Sequence, residues 1–355
     1  MVDQKKVLIS IGATAVVLLL IVGITLAIVL PGRNSNSVPE PEIVPVLSSK
    51  KLVIDHDGGA DDAFAITMAL IYEKYFEGPN VVALTTTFGN VNSAQTLFNS
   101  DRILTLMGRT DISLHGGSRR ALIRGIESDN YFGNDGLGDT GYRPPPVYYN
   151  GTPSATALIE LSKTYLGNLT IVAIGPLTNI ALAIRTDKGF LNRIGQLYIG
   201  GGHIHSVLHP DPEFNAAMDP EAYYIVANSS RVDKITFVPF SQVYETLRIP
   251  TSWRINTLGT IRTPTMNALN SFEQLSLPKE PAWTQLDPAT MAIALNGTDL
   301  VDVYSNTTNS IMLEGDNRGI NTNDFNGRWP TARMLQTANI QKYMKFLLEV
   351  YSAEL

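Results

Sequence analysis

From residue 51 onward, short apolar runs alternate with longer segments of helical periodicity. The apolar runs predict strands at residues 52–55, 81–87, 111–114, 169–174, 196–199 and 234–238. The longer segments predict helices at residues 61–75, 93–107, 155–165, 177–185 and 220–227. Near-continuous apolar strands joined by helices are typical of an α/β fold, here a mostly parallel, Rossmann-like open sheet with helices on both faces. We therefore predict one domain of this class over residues 51–355.

The N-terminal segment predicts a membrane anchor. Residues 7–30 carry no charged side chain, and as a helix they are long enough to cross a bilayer. Because Lys5 and Lys6 precede this run, the positive-inside rule predicts a cytosolic segment at residues 1–6 and a single-pass type II membrane protein. The α/β domain would then be extracellular or luminal. The alternative is a secreted protein whose leader is cleaved.

A linker follows the predicted anchor. Residues 31–50 are rich in Pro and Ser, and they predict an extended tether between the membrane and the folded domain. Asn-x-Ser/Thr triplets occur beyond it, so the predicted topology also predicts a glycoprotein. The candidate acceptors are Asn150, Asn168, Asn228, Asn296 and Asn306.

The composition excludes several classes of function. The chain contains no Cys, which excludes a disulfide scaffold, a thiolate metal site and a Cys nucleophile. Its 27 Lys and Arg are outnumbered by 33 Asp and Glu, for a net charge of −6, so we do not expect it to bind a nucleic acid polymer. A hydrophobic content of 44% is enough for a large core.

The strongest chemical signal is an acidic cluster after the first predicted strand, formed by Asp55, Asp57, Asp61 and Asp62. The glycines at 58 and 59 permit a sharp turn, which brings the four carboxylates together. Two such charges about 4 Å apart repel by about 4 kcal/mol at an effective dielectric near 20, and a helix N-terminus offsets only about 0.3–1 kcal/mol. A bound cation is the natural compensation. Oxygen ligands indicate Ca²⁺ or Mg²⁺, and the flexible geometry of Ca²⁺, which accepts several carboxylates, favours Ca²⁺. The alternative is that these residues only cap the helix and the turn.

This motif, VIDHDGGADDAFAI, resembles the D-x-D-x-x-x-D-D signature of the inosine-uridine preferring nucleoside hydrolase family. Further segments resemble that family in the same order along the chain. They are TTTFGN ending at Asn90, NDGLG at 134–138, AIGPLTNIALA at 173–183, GGG at 200–202, PEFN at 212–215, DPEA at 219–222 and LDP at 286–288. Together they cover nearly all of residues 51–355, so the resemblance implies the nucleoside hydrolase fold.

The resemblance also implies a reaction, which is Ca²⁺-dependent hydrolysis of the N-glycosidic bond of ribonucleosides to free base and ribose. Asp57, Asp62 and Asp287 would bind Ca²⁺ through their side chains, and Ile174 through its backbone carbonyl. Asp57 would also be the catalytic residue that accepts a proton from the attacking water. The implied partner is a small-molecule nucleoside, while the choice between purine and pyrimidine nucleosides and the formation of a homo-oligomer stay open.

The remaining matched residues are implied to hold the substrate. Asp61 and Asn215 would bind the sugar diol, and Glu213 would bind another ribose hydroxyl. Asn90 would steady the aspartates beside the substrate.

Three positions depart from the family pattern. Leu286 replaces a His that donates a proton to the leaving base, Val207 replaces an Asn that binds the 5′-hydroxyl, and Phe132 replaces another His. The sequence offers other groups for the leaving-group side of the site. These candidates are His205, His209 and Trp283, beside His203 and Tyr131, and each of the aromatic rings could equally serve in packing.

Two further functions stay open at this point. A nucleoside-binding or sugar-binding pseudoenzyme of the same fold would keep the cation and ribose contacts but lack efficient departure of the base. A haloacid-dehalogenase-like phosphatase would use Asp55 as the nucleophile and Asp57 as the acid and base, although the glycines that follow do not suit that motif.

Overall fold

A nine-stranded sheet organises the chain over the residues that the computed structural model describes, which are 50–141, 151–229 and 231–355. Its strands are β1 (Lys51–His56), β2 (Asn80–Thr86), β3 (Ser113–His115), β4 (Leu169–Ala173), β5 (Gln196–Gly200), β6 (Ile235–Val238), β9 (Val301–Ile311), β10 (Asn321–Asp324) and β11 (Ala332–Ala338). A separate two-stranded sheet pairs β7 (Ile249–Pro250) with β8 (Ala282–Trp283).

The strand order in the large sheet is β10-β9-β11-β6-β5-β4-β1-β2-β3. All pairs from β11 to β3 are parallel, whereas β9 and β10 add an antiparallel extension at one edge. The chain first builds outward from β1 through β2 to β3, and then returns to place β4 on the other side of β1. This reversal opens a crevice beyond the carboxyl ends of β1 and β4, which is where open α/β sheets bind their ligands.

Helices cover both faces of the sheet. They are α1 (Ala60–Tyr75), α2 (Ser93–Leu106), α3 (Ser154–Thr164), α4 (Thr178–Thr186), α5 (Phe190–Arg193), α6 (Phe214–Met218), α7 (Pro220–Ser229), α8 (Phe240–Thr246), α9 (Thr251–Asn256), α10 (Pro264–Phe272), α11 (Leu286–Leu300) and α12 (Ile340–Ser352). Alternation along β1 shows how the faces arise, because Leu52 and Ile54 join one hydrophobic cluster while Val53 joins the other.

Helix α1 lies inside the first of these clusters. Its side chains from Ala60 to Ile71 are all buried, against α10, α11 and α12. Four of its residues are Ala, and this small side chain suits a helix that other helices approach from several sides. The burial fixes the first turn of α1 at the crevice, where it carries Asp61 and Asp62.

The six strands and five helices predicted from the alternation are all present, and their ends differ from the prediction by at most two residues. The largest differences are at β3, which begins at Ser113 rather than at residue 111, and at α7, which ends at Ser229 rather than at residue 227. The mostly parallel α/β sheet with helices on both faces is therefore confirmed. The sequence did not predict β9, β10 and β11, because β9 and β10 carry mostly polar residues without a clear apolar alternation.

The predicted cytosolic segment 1–6, the anchor 7–30, nearly all of the linker 31–50 and the sequon at Asn150 lie outside the described residues. Among the residues that are described, no helix combines the length and the apolar character that crossing a membrane requires. Ser48–Leu355 form one compact unit.

Candidate active site

A cavity of about 450 Å³ opens at the crevice beyond the parallel strands. The turn after β1, the loop after β2 and the residue after β4 all reach this point, and the start of α11 closes it from the other side. Asp61, Asn90, Ile174 and Asp287 line the cavity together. Residues far apart in sequence therefore converge here, as the order of the parallel strands requires.

The turn after β1 is held by the aspartates that it presents. Gly58 has a φ of +88°, a left-handed conformation that favours glycine. The Gly59 amide donates to Asp62 Oδ2 at 2.6 Å, and the Asp57 amide faces Asp62 Oδ1 at 3.3 Å. Asp62 thus closes the N-terminus of α1 and stabilises the turn at the same time.

Helix α2 supports this turn from outside. Thr96 Oγ1 donates to the carbonyl of Asp57 at 3.1 Å, and Asn99 Nδ2 donates to the carbonyl of Gly58 at 2.7 Å. Ser100, one helical turn after Thr96, has its Oγ 2.9 Å from His56 Nε2. The position of the acidic turn therefore depends on α2, whose N-terminus is capped by the Asn92 side chain at 3.0 Å from the Gln95 amide.

Asp57 is oriented by Asn90. Its Oδ2 accepts from the Asn90 amide at 2.7 Å, and its Oδ1 accepts from Asn90 Nδ2 at 2.9 Å. This approach requires glycine at position 89, because a Cβ there would lie 1.9 Å from Asp57 Oδ2. Each carboxylate oxygen keeps a second lone pair beside the bond from Asn90.

Asp61, Asp62 and Asp287 form a candidate cation site. One oxygen of each lies within 4.8 Å of the others, and all three side chains are buried. Burial and the repulsion between neighbouring carboxylates raise the pKa of all three well above the ordinary value. Asp287 Oδ2 is buried without a hydrogen-bond partner among the described residues. A divalent cation fits this set, because it would supply the missing partner and compensate the charges.

The trio contains two of the predicted side-chain ligands, Asp62 and Asp287, with Asp61 as the third close carboxylate. The other predicted ligand, Asp57, is hydrogen-bonded to Asn90 and also interacts with the Asp62 side chain, and its role as a ligand stays a prediction. Asp57 is still near enough to raise the pKa of Asp61, Asp62 and Asp287 by its charge. The predicted backbone ligand, the carbonyl of Ile174, lies on the cavity wall and accepts from Asn215 Nδ2 at 3.2 Å.

Glu213 and Asn215 form the opposite wall. Glu213 caps the short helix α6: its Oε1 accepts from the Asn215 amide at 3.0 Å, and its Oε2 accepts from the Ala216 amide at 3.0 Å and from the Gly202 amide at 2.7 Å. These bonds fix the carboxylate beside the glycine loop after β5. Glu213 and Asn215 both line the cavity, as do Asp61 and Asn90. The structure therefore brings all four predicted substrate-binding residues into one place.

Asp55 and His56 lie behind the site. Asp55 Oδ1 accepts from Thr85 Oγ1 at 2.6 Å and from Asn179 Nδ2 at 2.8 Å, and burial raises its pKa to about 7. Burial lowers the pKa of His56 to about 3, so this ring is neutral. Neither side chain lines the cavity. Asp55 is therefore placed to join β1, β2 and α4, and its position does not suit the nucleophile of a phosphatase.

The sequence model of the inosine-uridine preferring nucleoside hydrolase family matches residues 52–345. The chain belongs to this family. Among curated proteins, it is 37% identical over 185 residues to probable uridine nucleosidase 2 of Arabidopsis thaliana and 37% identical over 187 residues to the pyrimidine-specific ribonucleoside hydrolase RihA of Photobacterium profundum. These matches cover 50% and 51% of this chain and 55% and 58% of the relatives, so the chain spans about half the length of the curated relatives that it matches.

Solved structures share the nucleoside hydrolase fold. A plant nucleoside hydrolase superposes with a TM-score of 0.77 at 27% identity, over 86% of this chain and 99% of that one. A purine-preferring ribonucleoside hydrolase from Gardnerella vaginalis superposes with a TM-score of 0.74 over the same shares of the two chains. At 24% identity, the second likeness shows the fold alone.

The three departures from the nucleoside hydrolase pattern fall at different distances from the cavity. Leu286 and Phe132 line it, so apolar side chains stand where the family pattern has histidines. Val207 is 96% exposed at the tip of the loop after β5 and does not line the cavity. This position therefore does not hold a substrate hydroxyl in the described structure.

The predicted leaving-group candidates do not gather at the cavity. His205 is exposed, and His209 faces Glu245 with 3.2 Å between Nε2 and Oε1. Trp283 is 2% exposed and packs in the core, where its Nε1 donates to Glu273 Oε1 at 2.5 Å. The structure thus gives Trp283 the packing role that the sequence left open. His203 does reach the cavity, with its ring stacked on His209 at 5.0 Å.

Sequence reasoning missed Tyr244 and Arg248, which line the cavity at and just after α8. The Arg248 guanidinium lies 4.7 Å from the centre of the Tyr244 ring. A local signal was present, because a four-residue spacing places both on one side of a helical turn. Their approach to the acidic cluster depends on the tertiary fold, and nothing in the local sequence shows it.

Proposed function

We propose that the chain hydrolyses the N-glycosidic bond of ribonucleosides to free base and ribose, with Ca²⁺ as its cofactor. The observation that carries this proposal is the buried trio of Asp61, Asp62 and Asp287, of which Asp61 and Asp287 line a cavity large enough for a nucleoside. Family membership and the names of the relatives support the same reaction.

The cation-binding groups would be Asp61, Asp62 and Asp287, with Asp57 and the carbonyl of Ile174 close by. A bound Ca²⁺ would lower the pKa of a water and orient the ribose hydroxyls beside it. Asp57 would accept the proton from the attacking water, because Asn90 fixes both of its oxygens and leaves lone pairs free. Asn215 and Glu213 would hold the sugar from the opposite wall.

The electrostatics of the site suit this reaction. Cleavage of the N-glycosidic bond develops positive charge on the ribosyl ring. Fixed carboxylates in a site shielded from water stabilise such charge more than water does, and here they surround the place where the sugar would lie. The same arrangement would not favour a substrate that carries a phosphate, because the carboxylates would repel it.

Departure of the base must use groups other than the replaced His. Leu286 cannot donate a proton. Other polar side chains that line the cavity, apart from the predicted cation and sugar groups, are His203, Tyr131, Tyr244, Arg248, Asp129, Glu280, Thr284 and Gln285. Arg248 is a permanent cation, which stabilises a base that leaves with negative charge. Uracil is such a base, and the relatives named above act on uridine or on pyrimidine nucleosides by name. We therefore propose uridine as the preferred substrate.

A nucleoside panel tests the proposal. Purified full-length chain is incubated with uridine, cytidine, inosine and adenosine, with Ca²⁺ or with a chelator, and released ribose is measured as reducing sugar. We expect release from uridine that the chelator abolishes and added Ca²⁺ restores. Tight binding of nucleosides by calorimetry with no ribose release would instead establish the pseudoenzyme. Ribose release that is unaffected by the chelator would refute the proposed role of Ca²⁺.

A further inference from the structure

A buried ion pair lies next to the cation site and plays no part in the reaction described above. Arg254 on α9 and Glu273 after α10 are both fully buried, with Arg254 Nε and Nη2 at 2.9 and 2.8 Å from Glu273 Oε2. Arg254 Nη1 also donates to Asn270 Oδ1 at 2.8 Å, and Trp283 Nε1 donates to the other oxygen of Glu273. We call Arg254, Glu273 and Trp283 the buried clamp.

The buried clamp contacts both segments that form the cation site. On one side, the Arg254 guanidinium lies 4.8 Å from the ring centre of Phe64, and the Trp283 ring meets Phe64 edge to face at 5.3 Å. Phe64 is in the first turns of α1, two residues after Asp62. On the other side, Trp283 belongs to β8, which leads within a few residues into Asp287 at the start of α11.

The direction of the side chains around Trp283 strengthens this connection. Ala282 and Thr284 line the cavity, whereas Trp283 between them points into the core. This is the alternation of an extended segment. The contact of Trp283 with Glu273 therefore lies directly behind the wall residues Ala282 and Thr284, in the segment that leads into α11.

Stability alone does not account for an ion pair at this position. Removing two charges from water costs several kcal/mol per ion, and well-packed apolar residues of similar volume often replace a buried pair without loss of stability. The cation site, in contrast, needs its parts held against repulsion, because Asp61 and Asp62 on α1 face Asp287 on α11 with like charge. An oriented, hydrogen-bonded ion pair gives a more rigid spacer than apolar contacts alone.

We propose that Arg254, Glu273 and Trp283 are positioning residues that set the distance between the Asp61–Asp62 arm and the Asp287 arm of the cation site. This inference rests on the proposed function, since it assumes that the trio binds a divalent cation. It assigns the buried clamp a role in Ca²⁺ affinity beyond its role in packing.

The test compares Ca²⁺ binding by calorimetry in full-length variants that keep the net charge of the clamp. Trp283→Phe keeps a ring against Phe64 but removes the donor to Glu273. The double variant Arg254→Met/Glu273→Met removes both charges and keeps apolar volume, so it stays folded even if single charge removals do not. We expect Ca²⁺ dissociation constants that rise by about tenfold or more, the range seen when groups that orient metal ligands are changed.

The matched control is Phe190→Leu, which alters a fully buried aromatic residue of α5 in the cluster on the other face of the sheet. We expect it to lower the melting temperature without changing the Ca²⁺ dissociation constant. Clamp variants that bind Ca²⁺ as tightly as the wild type would overturn the inference and leave the proposed function intact. A wild-type chain that binds no Ca²⁺ would refute the proposed cofactor and the clamp together.

Discussion

At the scale of single residues, Asp287 is the side chain whose environment most requires a cation. Its Oδ2 is buried without a partner among the described residues, and it lies within 4.8 Å of oxygens from Asp61 and Asp62. We expect Asp287→Asn to weaken Ca²⁺ binding by about a hundredfold, since it removes one charge from the set. Calorimetry with Ca²⁺ measures this. Asp299→Asn, at the exposed far end of the same helix, is the control and should bind as the wild type does.

Gly89 offers a steric test of how Asp57 is held. In Gly89→Ala, the new Cβ would lie 1.9 Å from Asp57 Oδ2, so the carboxylate must leave Asn90. If Asp57 is the base, ribose release should fall by about 10² or more. Gly315→Ala adds the same methyl at a glycine with open space around it. An active Gly89→Ala variant, with a loss no larger than that of the control, would reject the role assigned to Asp57.

His203 provides a test of how burial affects acid stability. Burial and the neighbouring His209 and His205 lower its pKa from 6.5 to about 4. Between these two values the unfolded chain binds a proton that the folded chain does not, so stability falls as the pH drops from 6.5 toward 4. We expect His203→Gln to lose less melting temperature than the wild type over this interval. If the melting temperatures of the two proteins fall equally with pH over this interval, the low pKa assigned to His203 is contradicted.

Motifs in the sequence predicted most residues of this site, with Asp57, Asp62 and Asp287 as the ligand side chains. That assignment stays a prediction, and the structure adds that Asp61 lies close to Asp62 and Asp287 while Asn90 binds both oxygens of Asp57. The bonds between Asn90 and Asp57 join the loops after two different strands, so no local pattern shows them. Tyr244 and Arg248 were missed for a similar reason, since only the packing of α8 brings them to the cavity.

At the scale of elements, α2 supports the acidic turn after β1, and this distinguishes it from α12, a helix with the same type of N-cap. Its Asn92 cap resembles the Asn339 cap of α12, where the Asn339 side chain accepts from the Lys342 amide at 3.1 Å. Replacing either Asn by Ala should cost about 1 kcal/mol of folding free energy. Only Asn92→Ala should also reduce ribose release, because α2 holds the acidic turn through Thr96 and Asn99. Chemical denaturation and kinetics on both variants distinguish the two effects.

Prediction of the elements succeeded where burial imposes a pattern. The parallel strands β1 to β6 are apolar on both faces and are recognisable in isolation, as are helices α1 to α4 and α7. The other helices of the described residues were not predicted. Strands β9 and β10 are mostly polar and half exposed, so they owe their extended form to strand pairing, of β9 with β11 and of β10 with β9, rather than to their own residues. No local pattern could have predicted that edge.

At the scale of the whole molecule, the anchored topology is a proposal drawn from residues 1–50. It requires the α/β domain to enter the secretory pathway, where exposed sequons such as Asn168 and Asn306 receive glycans. We expect the full chain made in a secretory cell to lose apparent mass on treatment with an endoglycosidase and to stay with the membrane in alkaline carbonate. A chain that shows no mass shift and is cleaved by protease from the cytosolic side has the opposite topology.

The wide separation in sequence between members of the aspartate trio has a consequence for biogenesis. Asp61 and Asp62 are synthesised with α1, long before Asp287 at the start of α11. A nascent polypeptide therefore has no complete trio until α11 has left the ribosome. Calcium uptake by this chain would consequently report the completion of folding, and fragments cut short before α11 would be inert.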